Sequence, residues 1–349
     1  MDHTFEHMSL WRIILLPFSW IYAGVLTFRH LLFDLGILKS SEVAAKTFVL
    51  GNLELGGTGK SPHTEWLVRS LTRKDKAVLS RGHGRTTEGF ISVESYSGPS
   101  VVGDEPLMLK KSLPSIKVAV CENRVIGIKE LESEGYGVIV LDDAFQHRAL
   151  KAEMNILLTR YERPFWESHL VPAGTLRDLR SRAKAAQYII ISKCPDDLDT
   201  AQMEMLKSKA KRYSDAEVYF SKVVYGEPIP LNEDTAPWTD NAEVLVVSGL
   251  ASNLAFFEQA EKSYRVNEKM SFPDHHDYSL KDLDMMRKRL SNFGGPFKAI
   301  LCTAKDAVKL GKEEWKGHTK DMPLFYLPIG IVIINEEQKL LKELNRYAS

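Results

Sequence analysis

Residues 50–62 read Leu50-Gly51-Asn52-Leu53-Glu54-Leu55-Gly56-Gly57-Thr58-Gly59-Lys60-Ser61-Pro62. Residues 46–50 before this stretch are a short apolar run that predicts a buried strand, and residues 63–73 after it have the apolar spacing of a helix. Strand, glycine-rich turn, Lys-Ser and helix is the order in which backbone N–H groups at a helix N-terminus cradle nucleotide phosphates. The glycines let the backbone approach an anion, Lys60 brings a point charge, and the Ser61 hydroxyl can ligate Mg²⁺. Leu55, Gly56, Gly57, Thr58, Gly59, Lys60, Ser61 and Pro62 are therefore candidate nucleotide-binding residues. The match to G-x-x-x-x-G-K-[ST] is incomplete, because position 54 should be glycine and is Glu54. The competing interpretation is an ordinary glycine-rich turn with a surface lysine, against which stand the flanking strand and helix.

Outward from the loop, short apolar runs alternate with helical patterns. Strands are predicted over 76–80, 116–121, 138–141, 154–159 and 187–193, with a helix after the second of these runs to about residue 134. All-apolar strands separated by helices indicate a mostly parallel sheet covered on both faces, an α/β phosphate-loop NTPase-like fold. Ligands of such sheets sit at the carboxyl ends of the strands. A polar stretch at 195–199 and a helix rich in lysine and methionine mark a boundary. A second α/β series follows, with strands at 217–225, 243–248, 298–303 and 324–327, and helices at 253–262, 280–290 and 336–347. The expected organisation is an N-terminal apolar helix over 1–40, a phosphate-loop domain over 41–215, and a smaller α/β domain over 216–349. The end of the chain is expected to pack back on the first domain.

The 349 residues hold 46 basic and 46 acidic side chains, so no global field points to nucleic acid. Cys121, Cys194 and Cys302 lack metal-type spacing and read as small buried residues in a reducing compartment. Residues 13–28 carry no charge, contain Pro17, Trp20 and Tyr22, and lie between Arg12 and Arg29. Crossing a bilayer takes about 20 apolar residues, and no signal-type cleavage site follows. Aromatic and aliphatic residues bounded by arginines fit a helix lying in the membrane interface; a helix packed in the core is the alternative.

Asp142-Asp143 closes the apolar run 138–141, as a carboxylate that holds Mg²⁺ closes its strand in phosphate-loop enzymes. Gln146 and His147 follow within reach of the same point. Asp104-Glu105-Pro106 precedes a helix; Asp104 is either an N-cap or a carboxylate that takes a proton from an attacking hydroxyl. Residues 272–278, Phe-Pro-Asp-His-His-Asp-Tyr, could ligate metal, orient a catalytic aspartate, or cap a helix through Asp274. Arg177 to Arg182, and Lys305 after Thr303, sit at turns that suit anions.

Taken in order, these motifs resemble the tetraacyldisaccharide 4′-kinase family. The likeness is carried by Gly51-Asn52-Leu53, Gly56 to Pro62, Ser80-Arg81-Gly82, Gly103 to Pro106, Asn123-Arg124, Leu141 to His147, Pro172-Ala173-Gly174 with Leu176-Arg177, Phe272 to His275, and Thr303 with Lys305 to Lys309. The resemblance implies a two-domain kinase with MgATP as donor and an acylated glucosamine disaccharide 1-phosphate as acceptor. It implies Asp104 as base assisted by His275, and Lys60 and Arg124 as further catalytic residues. Ser61, Asp142 and Asp143 would be on the metal, and Glu105, Gln146 and Arg177 on the substrate. A monomer on the cytoplasmic face of the inner membrane is expected, with no nucleic-acid partner. A membrane-attached NTP-hydrolysing switch or partitioning protein would use the loop and Asp142 but leave Asp104 and His275 without a role. Asp178-Leu179 departs from the family's usual Glu-Pro, and Ala304 from a frequent glutamate.

Overall fold

The computed structural model describes residues 10–232, 235–250, 252–274 and 276–349. The first elements are α1 (Leu10–Asp34), β1 (Lys46–Asn52), α2 (Lys60–Ser70), β2 (Lys76–Ser80), β3 (Ile91–Ser92), α3 (Pro99–Val102) and α4 (Asp104–Ser112). Next come β4 (Lys117–Val120), α5 (Arg124–Ser133), β5 (Val138–Asp142), β6 (Met154–Arg160), β7 (Tyr188–Ser192), α6 (Thr200–Lys211) and β8 (Glu217–Tyr225). The remainder is β9 (Ile229–Pro230), β10 (Glu243–Ser248), α7 (Leu254–Ser263), β11 (Arg265–Ser271), α8 (Leu280–Ser291), β12 (Lys298–Thr303) and α9 (Ala304–Leu310). It ends with α10 (Lys316–Thr319), β13 (Leu324–Leu327), β14 (Ile329–Ile333) and α11 (Glu337–Ala348).

A nine-stranded sheet runs β14-β8-β7-β6-β1-β5-β2-β4-β3, parallel except at its two edges. Successive side chains of a strand point to opposite faces, and both faces here are core. Val49, Leu79, Leu141, Leu157 and Ile189 join one apolar cluster, while Phe48, Leu50, Val78, Val140, Ile156 and Ile190 join the other. The runs are apolar throughout for that reason. From β1 the chain goes to β2 on one side, and later passes from β5 across β1 to β6 on the other. The crevice at the carboxyl ends of β1 and β5 is thus the topological switch point where such sheets take ligands.

A second sheet runs β11-β10-β12-β13-β9. β8, which lies beyond residue 215, pairs with β7 in the first sheet, and β14 pairs antiparallel with β8. α11 also returns, burying Leu340, Leu344 and Ala348 in the first core. Residues between β8 and β14 form the second unit, entered and left at neighbouring points: Gly226 N donates to Pro328 O at 2.9 Å. The sequence missed β11 because its burial alternates residue by residue along a polar edge, with no apolar run to mark it.

α1 is longer than its uncharged stretch, since Asp34 and the basic residues ride on the solvent or docking sides. It has the length and composition to cross a membrane, yet one side is fastened to the first domain. Ser19 Oγ donates to Leu170 O at 2.8 Å, Tyr22 OH to Arg177 O at 3.0 Å, and His30 Nε2 bonds buried Asp178 at 2.7 Å. The other side leaves Ile14, Phe18, Trp20, Ile21, Val25 and Phe28 exposed.

Candidate active site

α2 begins at Lys60, three residues before the apolar spacing alone suggests, because Gly59 takes a left-handed conformation (φ 84°) as its N-cap. Lys60 and Ser61 therefore form the first turn, and the turn's unpaired N–H groups face the loop. Gly56 is also left-handed (φ 101°). The loop is anchored from behind. Ser192 Oγ, at the end of β7, donates to Thr58 O at 2.8 Å, and Leu55 N donates to Thr175 O at 2.7 Å. His63 lies 2.6 Å from Gly59 O and 2.8 Å from Ser221 Oγ, and burial holds its imidazole down at about 4. Glu54, the residue that spoils the standard pattern, is turned inward and buried, 3.7 Å from Arg160 and 4.0 Å from Arg163. Burial raises its pKa against the pull of those arginines.

At the ends of β1 and β5 the polar residues converge. Lys60 Nζ lies 3.4 Å from Asn52 Oδ1 and 3.7 Å from Asp143 Oδ2. Arg177 donates to both carboxylate oxygens of Asp143 and, at 2.6 Å, to Asn52 Oδ1. Gln146 Nε2 donates to Asn52 O at 2.7 Å. Gly51 has to be glycine for this crowding, since a Cβ there would sit 2.7 Å from that of Phe145. Asp142 is fully buried and accepts from Thr64 Oγ1 at 3.0 Å, while its Oδ2 has no hydrogen-bond partner. Burial, then the fields of Glu105 and Asp143, push its carboxyl up to about 7. Burial acts the same way on Asp143, but Arg177, Lys60 and Arg124 outweigh it and hold that group below its ordinary value.

An orphaned buried carboxylate oxygen beside a helix N-terminus is what a divalent cation would satisfy, so the residues fit Mg²⁺. Among the described residues no cluster of three or more His, Cys, Asp or Glu side chains is arranged to hold a metal. Asp142, Asp143 and the Ser61 hydroxyl would be its protein ligands, a sparse set of the kind usual for this ion.

Arg124 opens α5 almost fully buried, its guanidinium on the carbonyls of Cys121, Glu122 and Asp143 at 3.2–3.5 Å. It supports the Asp143 loop from behind. Asp104 and Glu105 form the first turn of α4 after Gly103, whose φ of 92° and contact with His83 O (3.0 Å from a Cβ) admit only glycine. Asp104 Oδ2 lies 3.2 Å from Lys309 Nζ on α9, so the second domain reaches the site. His275 lies outside the described residues. Its neighbours are tied up structurally: Asp274 with Lys305 (2.9 Å), Asp277 with Lys312 (2.8 Å), and His276 with Asp282 (3.1 Å). Ser279, not Asp274, caps the following helix. Arg180 points away, donating to Ser168 O.

Sequence reasoning gave no role to Thr64, Lys193 or Lys309. Thr64 is one helical turn after Lys60, and could have been found from that spacing. Lys193 follows β7 with φ 58°, its Nζ 4.0 Å from where a Cβ on Gly57 would lie. Partial burial, then Arg160, lower it from the ordinary lysine value. Its place at a strand's carboxyl end was the available signal.

The sequence model of the family described as tetraacyldisaccharide-1-P 4′-kinase matches residues 11–348. The tetraacyldisaccharide 4′-kinase of Flavobacterium psychrophilum is 37% identical over 350 residues, covering 97% of this chain and 98% of its own length. That of Bacteroides thetaiotaomicron is 35% identical over 354 residues, covering 97% and 92%. A crystal structure of the "apo" form of LpxK from Aquifex aeolicus in complex with ATP is similar with a TM-score of 0.77 and 28% identity, covering 97% of this chain and 100% of that one.

Proposed function

The chain belongs to the tetraacyldisaccharide-1-P 4′-kinase family, and on that premise we propose how its own residues carry out the transfer. It is an ATP-dependent kinase of lipid A biosynthesis, moving the γ-phosphoryl group to the 4′-hydroxyl of a tetraacylated glucosamine disaccharide 1-phosphate. Phosphoryl transfer is mostly positioning and charge stabilisation. The N–H groups of residues 56–61, Lys60 and Lys193 hold the β- and γ-phosphates. Ser61, Asp142 and Asp143 hold Mg²⁺, which when bound offsets charge on the phosphate oxygens. Asp104 accepts the proton of the 4′-hydroxyl as its oxygen bonds to the γ-phosphorus and the bond to ADP breaks. His275, on the second domain, has the assisting role that the family resemblance implies. Arg124 and Arg177 supply positive potential, with Arg177 also fixing Asp143. Glu105 and Gln146 face the acceptor sugar.

α1 keeps the enzyme on the cytoplasmic face of the inner membrane, where ATP and the lipid acceptor meet. Its docked side supports a helix lying in the interface, since the bonds of Ser19, Tyr22 and His30 would have to break for it to cross. The observation that carries the mechanism is the convergence of Lys60, Asn52, Asp143 and Arg177 beneath the loop, beside a buried Asp142 with an unpaired oxygen. The test is formation of phosphorylated disaccharide from ATP and lipid acceptor. ATP hydrolysis that ignores the acceptor and yields no phosphorylated lipid would favour the NTPase switch instead.

A further inference from the structure

Lys309 is the one lysine among the buried described residues, 5% exposed. Burying an ammonium costs several kcal/mol unless it is paired and hydrogen-bonded. Lys309 Nζ donates to His276 O at 2.8 Å and lies 3.2 Å from Asp104 Oδ2. The pair joins α9 of the second domain to α4 of the first, and both sides are rigid. α9 is fixed through Asp306, which accepts from Thr303 Oγ1 (2.7 Å), Tyr278 OH (3.0 Å) and Gly249 N (3.1 Å). Lys309 projects from the same helix one turn later. The start of α4 is clamped where Gly103 and Gly82 press together, with a Cβ on Gly103 3.3 Å from Gly82 Cα.

We propose that Lys309 is a positioning residue for phosphoryl transfer: it holds the Asp104 carboxylate across the domain cleft in the orientation that receives the acceptor's proton. The proposal rests on Asp104 being the base. Lys309 touches no reacting atom. A carboxylate released from its cation gains rotamer freedom, and a misplacement of about 1 Å can cost ~100-fold in rate.

The test is steady-state kinetics of the full chain with ATP and the lipid acceptor. Lys309→Met should lower kcat by about 10- to 100-fold while the KM for each substrate moves less than about threefold. Lys309→Gln keeps a donor for His276 O and should show the same split, which covers the case in which methionine unfolds the chain. Lys309→Arg, which keeps the charge, should recover most of kcat. Asp104→Ala combined with Lys309→Met should be no slower than Asp104→Ala alone, because both act through one carboxylate. A multiplicative loss in the double variant, or wild-type kcat in Lys309→Met or Lys309→Gln, would overturn the proposal. If Asp104→Ala itself turns over near the wild-type rate, it is the base assignment that fails; if Asp104→Ala is inactive and the Lys309 variants are normal, only the role of Lys309 falls.

Discussion

At the scale of single residues, the site works by setting buried charges against one another. Asp143 is matched by Lys60 and Arg177 and held below its ordinary value, whereas burial and two facing acids raise Asp142. Lys193 stands on the open side of the loop. Charge-assisted hydrogen bonds are worth about 1.5–3 kcal/mol, so Lys193→Ala should raise the KM for ATP by roughly 10- to 100-fold. With ATP saturating, kcat should change little; an unchanged KM would remove Lys193 from the nucleotide site. Two histidines make a separate prediction. Burial holds His63 at about 4, and burial with Arg124, Arg29 and Arg81 holds His147 at about 4. Unfolded, both titrate near 6.5. Between those values the unfolded chain binds more protons than the native one, so stability is lost as pH falls through that window and is constant above it. For fully buried His63 the loss is on the order of 3 kcal/mol at 1.36 kcal/mol per pKa unit. Thermal melts from pH 8 to pH 4.5 should show a falling Tm, and His63→Gln should start lower but flatten the slope.

At the scale of elements, α1 has two sides with different duties. Phe18 and Trp20 are 59% and 69% exposed. Replacing both with glutamate should abolish co-sedimentation with anionic phospholipid vesicles and leave the melting temperature within about a degree, as surface substitutions usually do. His30→Ala is on the docking side and leaves buried Asp178 without that partner, which should cost about 1–3 kcal/mol of stability. Vesicle binding that survives the glutamate pair would mean that another surface meets the lipid. The departure of Asp178 from the family's glutamate finds its physical setting here: the shorter acid is engaged by a histidine of α1 rather than directed at the loop. The loop's own misfit is likewise a matter of packing, with Glu54 turned inward toward Arg160 and Arg163.

At the scale of the molecule, the second domain is an insertion between two paired strands of the first sheet, β8 and the edge strand β14. Tyr225 on β8 is opposite Ile329 on β14, so the first sheet closes across the junction. Replacing residues 227–327 with a short Gly/Ser linker should leave a cooperatively melting first domain that retains nucleotide but transfers no phosphate, since Lys309 and His275 leave with the insert. A truncated chain that fails to fold would show that the first domain depends on the second. A groove of about 500 Å³ lies between the domains, lined by Pro62, Met108, Lys111, Val308 and Tyr326. By itself the sequence determined the alternation of buried strands and helices, the phosphate loop, the paired aspartates and the apolar helix, because each is written in local spacing and in which faces must avoid water. Only the tertiary structure decided that β8 and β14 complete the first sheet, since sheet membership depends on hydrogen-bond partners distant in the chain. It alone could set Lys309 against Asp104, 205 positions apart in sequence (309 − 104), because a buried charge finds its partner through packing and not through spacing.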